Sequence, residues 1–223
     1  MKLFLAVLAF IIAILVAPMF LSPAPDNRSG QAVAGLPWQI EVLSDGHSRV
    51  FDLTIGANTL SDARARFGDG EMALVAAPGE AASLELYLDT VTVGAVTGKL
   101  IVTADLAVET IAAMRQRATK TEYMKSSTKK SALAEQDQPA AFAAPIRGLA
   151  FVPSINLDES MILQRFGPPA ERIRTSEQTE HFLYPERGLD IALDAENKEL
   201  LQYVAPRDFA RLRGPLQAMG AKP

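Results

Sequence analysis

The chain contains no cysteine. That absence removes a thiol nucleophile, disulfide staples, zinc–thiolate clusters and a lipidated-cysteine anchor, so the folded part must be stable from its core alone. Histidine is nearly as scarce, with only His47 and His181. Neither has second and third ligands at metal spacing, and in a strand Glu180 and His181 point to opposite faces, so Glu180, His181, Tyr184 and Glu186 do not make a metal or proton-transfer site. Gly-x-Ser-x-Gly, a phosphate loop and His-Glu-x-x-His are all missing, and Asp89, Asp105, Asp190 and Asp194 read as strand-end and turn residues. The expectation is a non-enzymatic protein with no catalytic residue, cofactor or metal. A basic excess is missing too: a net charge of -4 and a pI near 5.3 speak against nucleic acid as a partner, because phosphate neutralisation needs clustered cations.

What is present begins with an apolar run. Met1-Lys2 precedes the uncharged stretch Leu3 to Leu21, close to the ~20 residues that span a bilayer as a helix and longer than the roughly 7 to 15 of a signal-peptide core. Residues 1–22 are therefore expected to be a signal anchor, a transmembrane helix crossing the inner membrane once. The positive charge of Lys2 stays inside, which sends the body to the periplasm. Ser22-Pro23-Ala24 has small residues at cleavage spacing, though Pro25 would follow the scissile bond, so the alternative is a cleaved, soluble periplasmic or secreted chain. Residues 23–37, rich in Pro, Gly, Ser and Ala, read as a flexible tether.

A short sequence then occurs twice. Ala65-Arg66-Phe67-Gly68 and Gln164-Arg165-Phe166-Gly167-Pro168-Pro169 each end a helical pattern and open a series of alternating runs. Around the first copy, Trp38 to Val42 and Val50 to Ile55 read as a hairpin. A helix over Asp62 to Phe67 is capped by Asn58 or Ser61, and strands follow at Met72 to Ala76, Ser83 to Leu88 and about Thr90 to Thr103. A helical pattern from Leu106 continues in polar form towards Gln136. Around the second copy, a strand near Gly148 to Val152 precedes a helix over Asp158 to Phe166. Strands are expected at Glu171 to Thr175, Glu180 to Tyr184, Leu189 to Leu193 and Leu200 to Val204, with Phe209, Leu212 and Leu216 at helical spacing beyond. The expected class is α+β: two tandem small units, each a helix packed on an antiparallel β-meander, over residues 38–138 and 139–223.

Leu157 to Pro169, followed by Tyr184-Pro185-Glu186-Arg187-Gly188-Leu189-Asp190-Ile191, resembles the repeat of the BamE-like (SmpA/OmlA) envelope proteins and of the β-lactamase-inhibitor-protein fold, best over residues 155–204. Two positions depart from that pattern: Ile155-Asn156 stands where the family has Gly before the helix, and the lipobox cysteine is missing. The resemblance implies a membrane-attached scaffold or binding module of the bacterial envelope, acting through an unknown envelope protein. A secreted hydrolase inhibitor is the alternative, and an envelope enzyme the third reading.

Arg115, Arg117, Lys120, Lys125, Lys129 and Lys130 form the one basic cluster of an acidic chain. On a helix it would meet lipid headgroups or an acidic partner; otherwise it is a solvated connector. Trp38, the single tryptophan, is either core or an anchor at a contact surface. Open sheet edges and the groove between the units are the places a partner strand would join.

Overall fold

Three very short strands, β1 (Glu41–Val42), β2 (Ser48–Val50) and β3 (Leu53–Thr54), form a small antiparallel sheet at the start of the described chain. The computed structural model describes residues 34–124 and 126–220, so the expected membrane span and Lys125 lie outside the described residues. Among the described residues no helix is long and apolar enough to cross a membrane. The run Val50 to Ile55, expected as one strand, is broken by a tight turn. Val50 pairs with Leu53, and the two residues between them, Phe51 and Asp52, take φ of 58° and 59°. Left-handed φ at both central residues is the type I′ hairpin geometry usually left to Asn and Gly, costing other residues roughly 1–2 kcal/mol each. Burial of the Phe51 ring offsets this cost.

Helix α1 (Leu60–Phe67) leads into β4 (Glu71–Ala76), β5 (Ser83–Val93) and β6 (Val96–Ala104). Its cap is Thr59, not Asn58 or Ser61: the Thr59 hydroxyl accepts from the Asp62 N–H and the Asp62 carboxylate from the Thr59 N–H, a closed capping box. Beyond α2 (Val108–Gln116) the polar sequence expected to continue the helix turns instead into a hairpin, β7 (Lys120–Tyr123) and β8 (Lys129–Ala132), before the short α3 (Gln138–Ala143). The reason is visible in its pairing: β8 adds to the free edge of β4, with Leu74 opposite Ser131. A sheet edge supplies hydrogen bonds that the sequence pattern does not reveal.

Strand β9 (Ile146–Pro153) precedes α4 (Glu159–Phe166), which is followed by β10 (Glu171–Arg174), β11 (Thr179–Tyr184), β12 (Leu189–Asp194), β13 (Leu200–Val204) and α5 (Ala210–Gly220). All strands from β4 onward belong to one ten-stranded antiparallel sheet in the order β10-β11-β12-β13-β9-β6-β5-β4-β8-β7. The expectation of two tandem units, each with its own meander, is therefore corrected. Strand β9 pairs with β6 on one side and β13 on the other, so each helix is followed by strands that end in the middle of a shared sheet. Alternating inward residues make this joining favourable, since Leu100, Phe151 and Leu201 lie side by side across β6, β9 and β13. Two separate sheets would leave both of those central edges unpaired.

One face of the sheet carries the main core, with α1, α4 and the small sheet packed on it. Phe51 stands at the junction, its ring 5.2 Å from Phe151 of β9 and 5.6 Å, edge-on, from Tyr203 of β13. The Tyr203 hydroxyl donates to the Pro37 carbonyl and the Ser48 hydroxyl to the Val204 carbonyl, fastening the small sheet over the seam. Gly98 allows the Phe151 ring close to β6: a Cβ there would lie 2.5 Å from it. On the opposite face Leu183 and Val204 are covered by Phe209, just ahead of α5, and by Leu216 of α5.

Candidate functional site

Helix α4 and the segment before it form the wall of two hollows of opposite character. Asp158 caps the helix, accepting from the Met161 N–H at 2.7 Å, and Gly167, with φ of 77°, ends it. The end is locked from both sides: Tyr184 donates its hydroxyl to the Gly167 carbonyl and Arg187 donates to the Phe166 carbonyl. Ile162 and Phe166 are buried, which leaves Met161 and Arg165 facing outward from the next turns.

The first hollow is an apolar groove of about 170 Å³ between α4 and Trp38, lined by Ile155, Leu157, Met161, Ile162 and Arg165. Ile155 is 58% and Met161 38% exposed, so two large aliphatic groups that line the groove also face solvent. The Arg165 guanidinium lies 4.5 Å from the centre of the Trp38 ring, a cation–π contact, and makes no ion pair among the described residues. Trp38 is half-buried, in a turn ahead of β1 and not on a strand, with its ring packed on the main core.

The second hollow is an open cleft of about 850 Å³ where the loops after β10 and β12 meet the start of α4. Seven carboxylates line it against two cations, Arg174 and Lys198. Some of these acids have structural partners. Glu159 pairs with Arg172 at 2.7 Å, and Asp194 accepts from the Thr179 hydroxyl and from the Glu196 and Asn197 N–H groups, which together hold its carboxyl down to about 2. The Lys198 ammonium donates to the Ser154 carbonyl and Asn156 Oδ1, and Glu177, Glu196 and Glu199 form no ion pair among the described residues. Glu199 is 4% exposed, and its Oε2 is buried without a hydrogen-bond partner. Leu157 lines both hollows.

The described residues of the basic cluster lie at the end of α2 and on the β7–β8 hairpin, where Arg115 and Lys129 line one hollow, and three of them are neutralised by acids. Arg117 caps α2 and grips Asp137 through two hydrogen bonds of 2.6 and 3.0 Å, Lys120 pairs with Glu122, and Lys130 pairs with Glu71 at 2.6 Å. Lys129 lies over the Tyr123 ring, and Arg115 stays on the last turn of α2. Of the repeated motif, Arg66 pairs with Asp52 at 3.0 Å over a half-buried Phe67, whereas Arg165 meets Trp38 and Phe166 is buried. Gly68 and Gly167 end the two helices with positive φ, 93° and 77°, and Pro168 and Pro169 lie between α4 and β10. Neither sheet edge is an open apolar strand: β7 is exposed and charged, and Gly220 at the end of α5 packs on Ile173 and Arg174 of β10.

The histidines stay apart. His47 Nε2 accepts from Arg207 at 2.6 Å, which puts the ring proton on Nδ1, facing Asp45 at 2.9 Å and depressing the Asp45 carboxyl. The Nδ1–Asp45 approach is off the angle of a hydrogen bond, so it is an electrostatic contact. His181 forms a buried pair with Asp190, Nδ1 to Oδ2 2.9 Å, between neighbouring strands. Asp190 is thus a fully buried mid-strand residue and not a turn residue, and neither member lines the groove or the cleft. Glu186 is exposed and Tyr184 points to the opposite face, so these groups do not converge. Among the described residues no group of three or more His, Asp and Glu is arranged to hold a metal ion. Comparison with family models, with curated proteins and with solved structures gives no match.

Proposed function

We propose that this chain is a non-enzymatic binding or scaffold protein of the bacterial cell envelope, held at the inner membrane by residues 1–22 with its body in the periplasm. Its contact site is the groove beside Trp38, and the occupant is an apolar side chain flanked by a carboxylate on a partner protein. The carrying observation is the pairing of Ile155 and Met161, both exposed, with an Arg165 that has no acidic partner among the described residues. An apolar side chain would bury that surface, and a neighbouring acid would meet the guanidinium. The resemblance of residues 155–204 to the BamE-like repeat and the 19-residue apolar run Leu3 to Leu21 support the envelope setting.

A photo-crosslinking residue at Met161, with a control at Glu85, tests this in intact cells. The expected product joins position 161 to a partner peptide that carries an aliphatic or aromatic residue next to Asp or Glu, and Arg165→Glu abolishes it. Equal labelling from position 85, or a product untouched by Arg165→Glu, refutes the groove. The mass of the mature chain from the same membranes decides the anchor: a soluble chain beginning near Pro25 would favour the secreted hydrolase inhibitor.

A further inference from the structure

The acidic cleft at the start of α4 has a buried carboxylate, Glu199, in its lining. Glu199 follows the inward alternation of Leu201 and Tyr203 along β13, so its side chain enters the core face where the sheet ends. With Oε2 buried and without a partner, this carboxylate forfeits its water and receives no donor in return, a state that protein structures rarely leave uncompensated. Glu177 and Glu196 line the same cleft, neither in an ion pair among the described residues, while Leu157 and Leu193 supply aliphatic surface.

We infer that this cleft binds an aliphatic primary ammonium, with the ammonium donating to Glu199 Oε2 and its methylene chain lying along Leu157 and Leu193 towards the acidic rim. Only Oε2 of Glu199 is left without a donor, which a compact ammonium satisfies with one N–H, whereas the larger planar guanidinium has to bring its fork to both carboxylate oxygens. A lone divalent cation needs more ligands than converge here. The volume of about 850 Å³ has room for a chain and not only an ion. The same chemistry is offered by a lysine side chain of another protein and by a free polyamine. The inference is independent of the groove beside Trp38.

Titration calorimetry of the full chain with cadaverine, spermidine and N-acetyl-lysine methylamide, repeated with N-acetyl-arginine methylamide and with Ca²⁺, tests it. Saturable binding of an ammonium probe is expected, weaker for the arginine probe, and reduced at least about tenfold by Glu199→Gln, the scale for losing a hydrogen bond to a charged group. Tighter binding of the polyamines identifies a free polyamine, and tighter binding of the lysine probe identifies a protein lysine. If Glu199→Gln fails to fold, the double variant Glu177→Gln/Glu196→Gln, on the exposed rim, is expected to lower affinity severalfold and flatten its salt dependence. No ammonium binding, binding that these variants leave unchanged, or preferential uptake of Ca²⁺ overturns the assignment.

Discussion

Helices α1 and α4 share length, an acidic or hydroxyl N-cap, the Arg-Phe-Gly ending and a terminal glycine with positive φ, yet their surroundings differ. Helix α1 has a second helix at its side: α3 packs beside it, Arg64 lies over the Phe142 ring, the Leu60 N–H donates to Ala144, and Arg66 is neutralised by Asp52. Among the described residues helix α4 has no comparable helix against it. Its arginine rests on Trp38 with no acidic partner among the described residues, and Met161 and Ile155 face solvent. The same local sequence can thus finish a core in one half of a sheet and leave a contact surface in the other. What differs is the insertion between β6 and β9, which supplies α3 to the first half only.

The largest effect is expected at the seam between the halves. Phe51→Ala removes the ring packed on Phe151 and Tyr203 while keeping the strained turn, and should cost about 3–5 kcal/mol in urea unfolding. A loss below about 1 kcal/mol would mean that the halves do not depend on that post. The two caps come next. Thr59→Ala breaks a closed box under the helix flanked by α3 and Asp158→Ala a single bond under α4, so losses of about 1 kcal/mol are expected, greater for Thr59. Equal or reversed values would remove the energetic side of the comparison.

Acid sensitivity separates the halves more gently. The folded pKa of Asp194, about 2, lies below that of an unfolded aspartate, roughly 3.9. Its contribution is therefore complete above about pH 4 and disappears as pH falls through about 2. Asp194→Asn is expected to flatten the stability profile across that window, measured by thermal melts at stepped pH, and an unchanged slope would show that the carboxylate is not held by the turn. Smallest of all is Met161→Gln, which should alter stability by less than about 0.5 kcal/mol while abolishing capture of the partner at the groove. A large loss of stability would instead make Met161 part of the core.

Much of the local structure is legible in the residues. The Phe-Gly stops, the alternation along β5, and the spacing of Leu212 and Leu216 in α5 with Phe209 just ahead of it follow from sterics and burial over short range, whereas in β12 Asp190 and Ala192 are buried along with Leu189 and Ile191. The groove was legible only in its parts: Trp38 stood out, but Ile155 and Met161 look unremarkable in a sequence because exposure is not a local property. Glu199 gave no signal, since one acid among 26 becomes informative only when its oxygen is sealed. The polar stretch Lys120–Ala132 was misread as helix because it takes its strand conformation from the edge of β4.

By itself the sequence determined the cysteine-free composition, the long apolar run near its start, the helix stops and the inward face of most strands, because each depends on neighbouring residues or on a short period. Only the tertiary structure decided that the strands of both halves join at β9 and β13, that Phe51 is held in a left-handed turn, and that α3 packs beside one of two matching helices. Those outcomes rest on contacts between residues far apart in the chain, where the free energy of burying Phe51 and pairing two strand edges outweighs local preference.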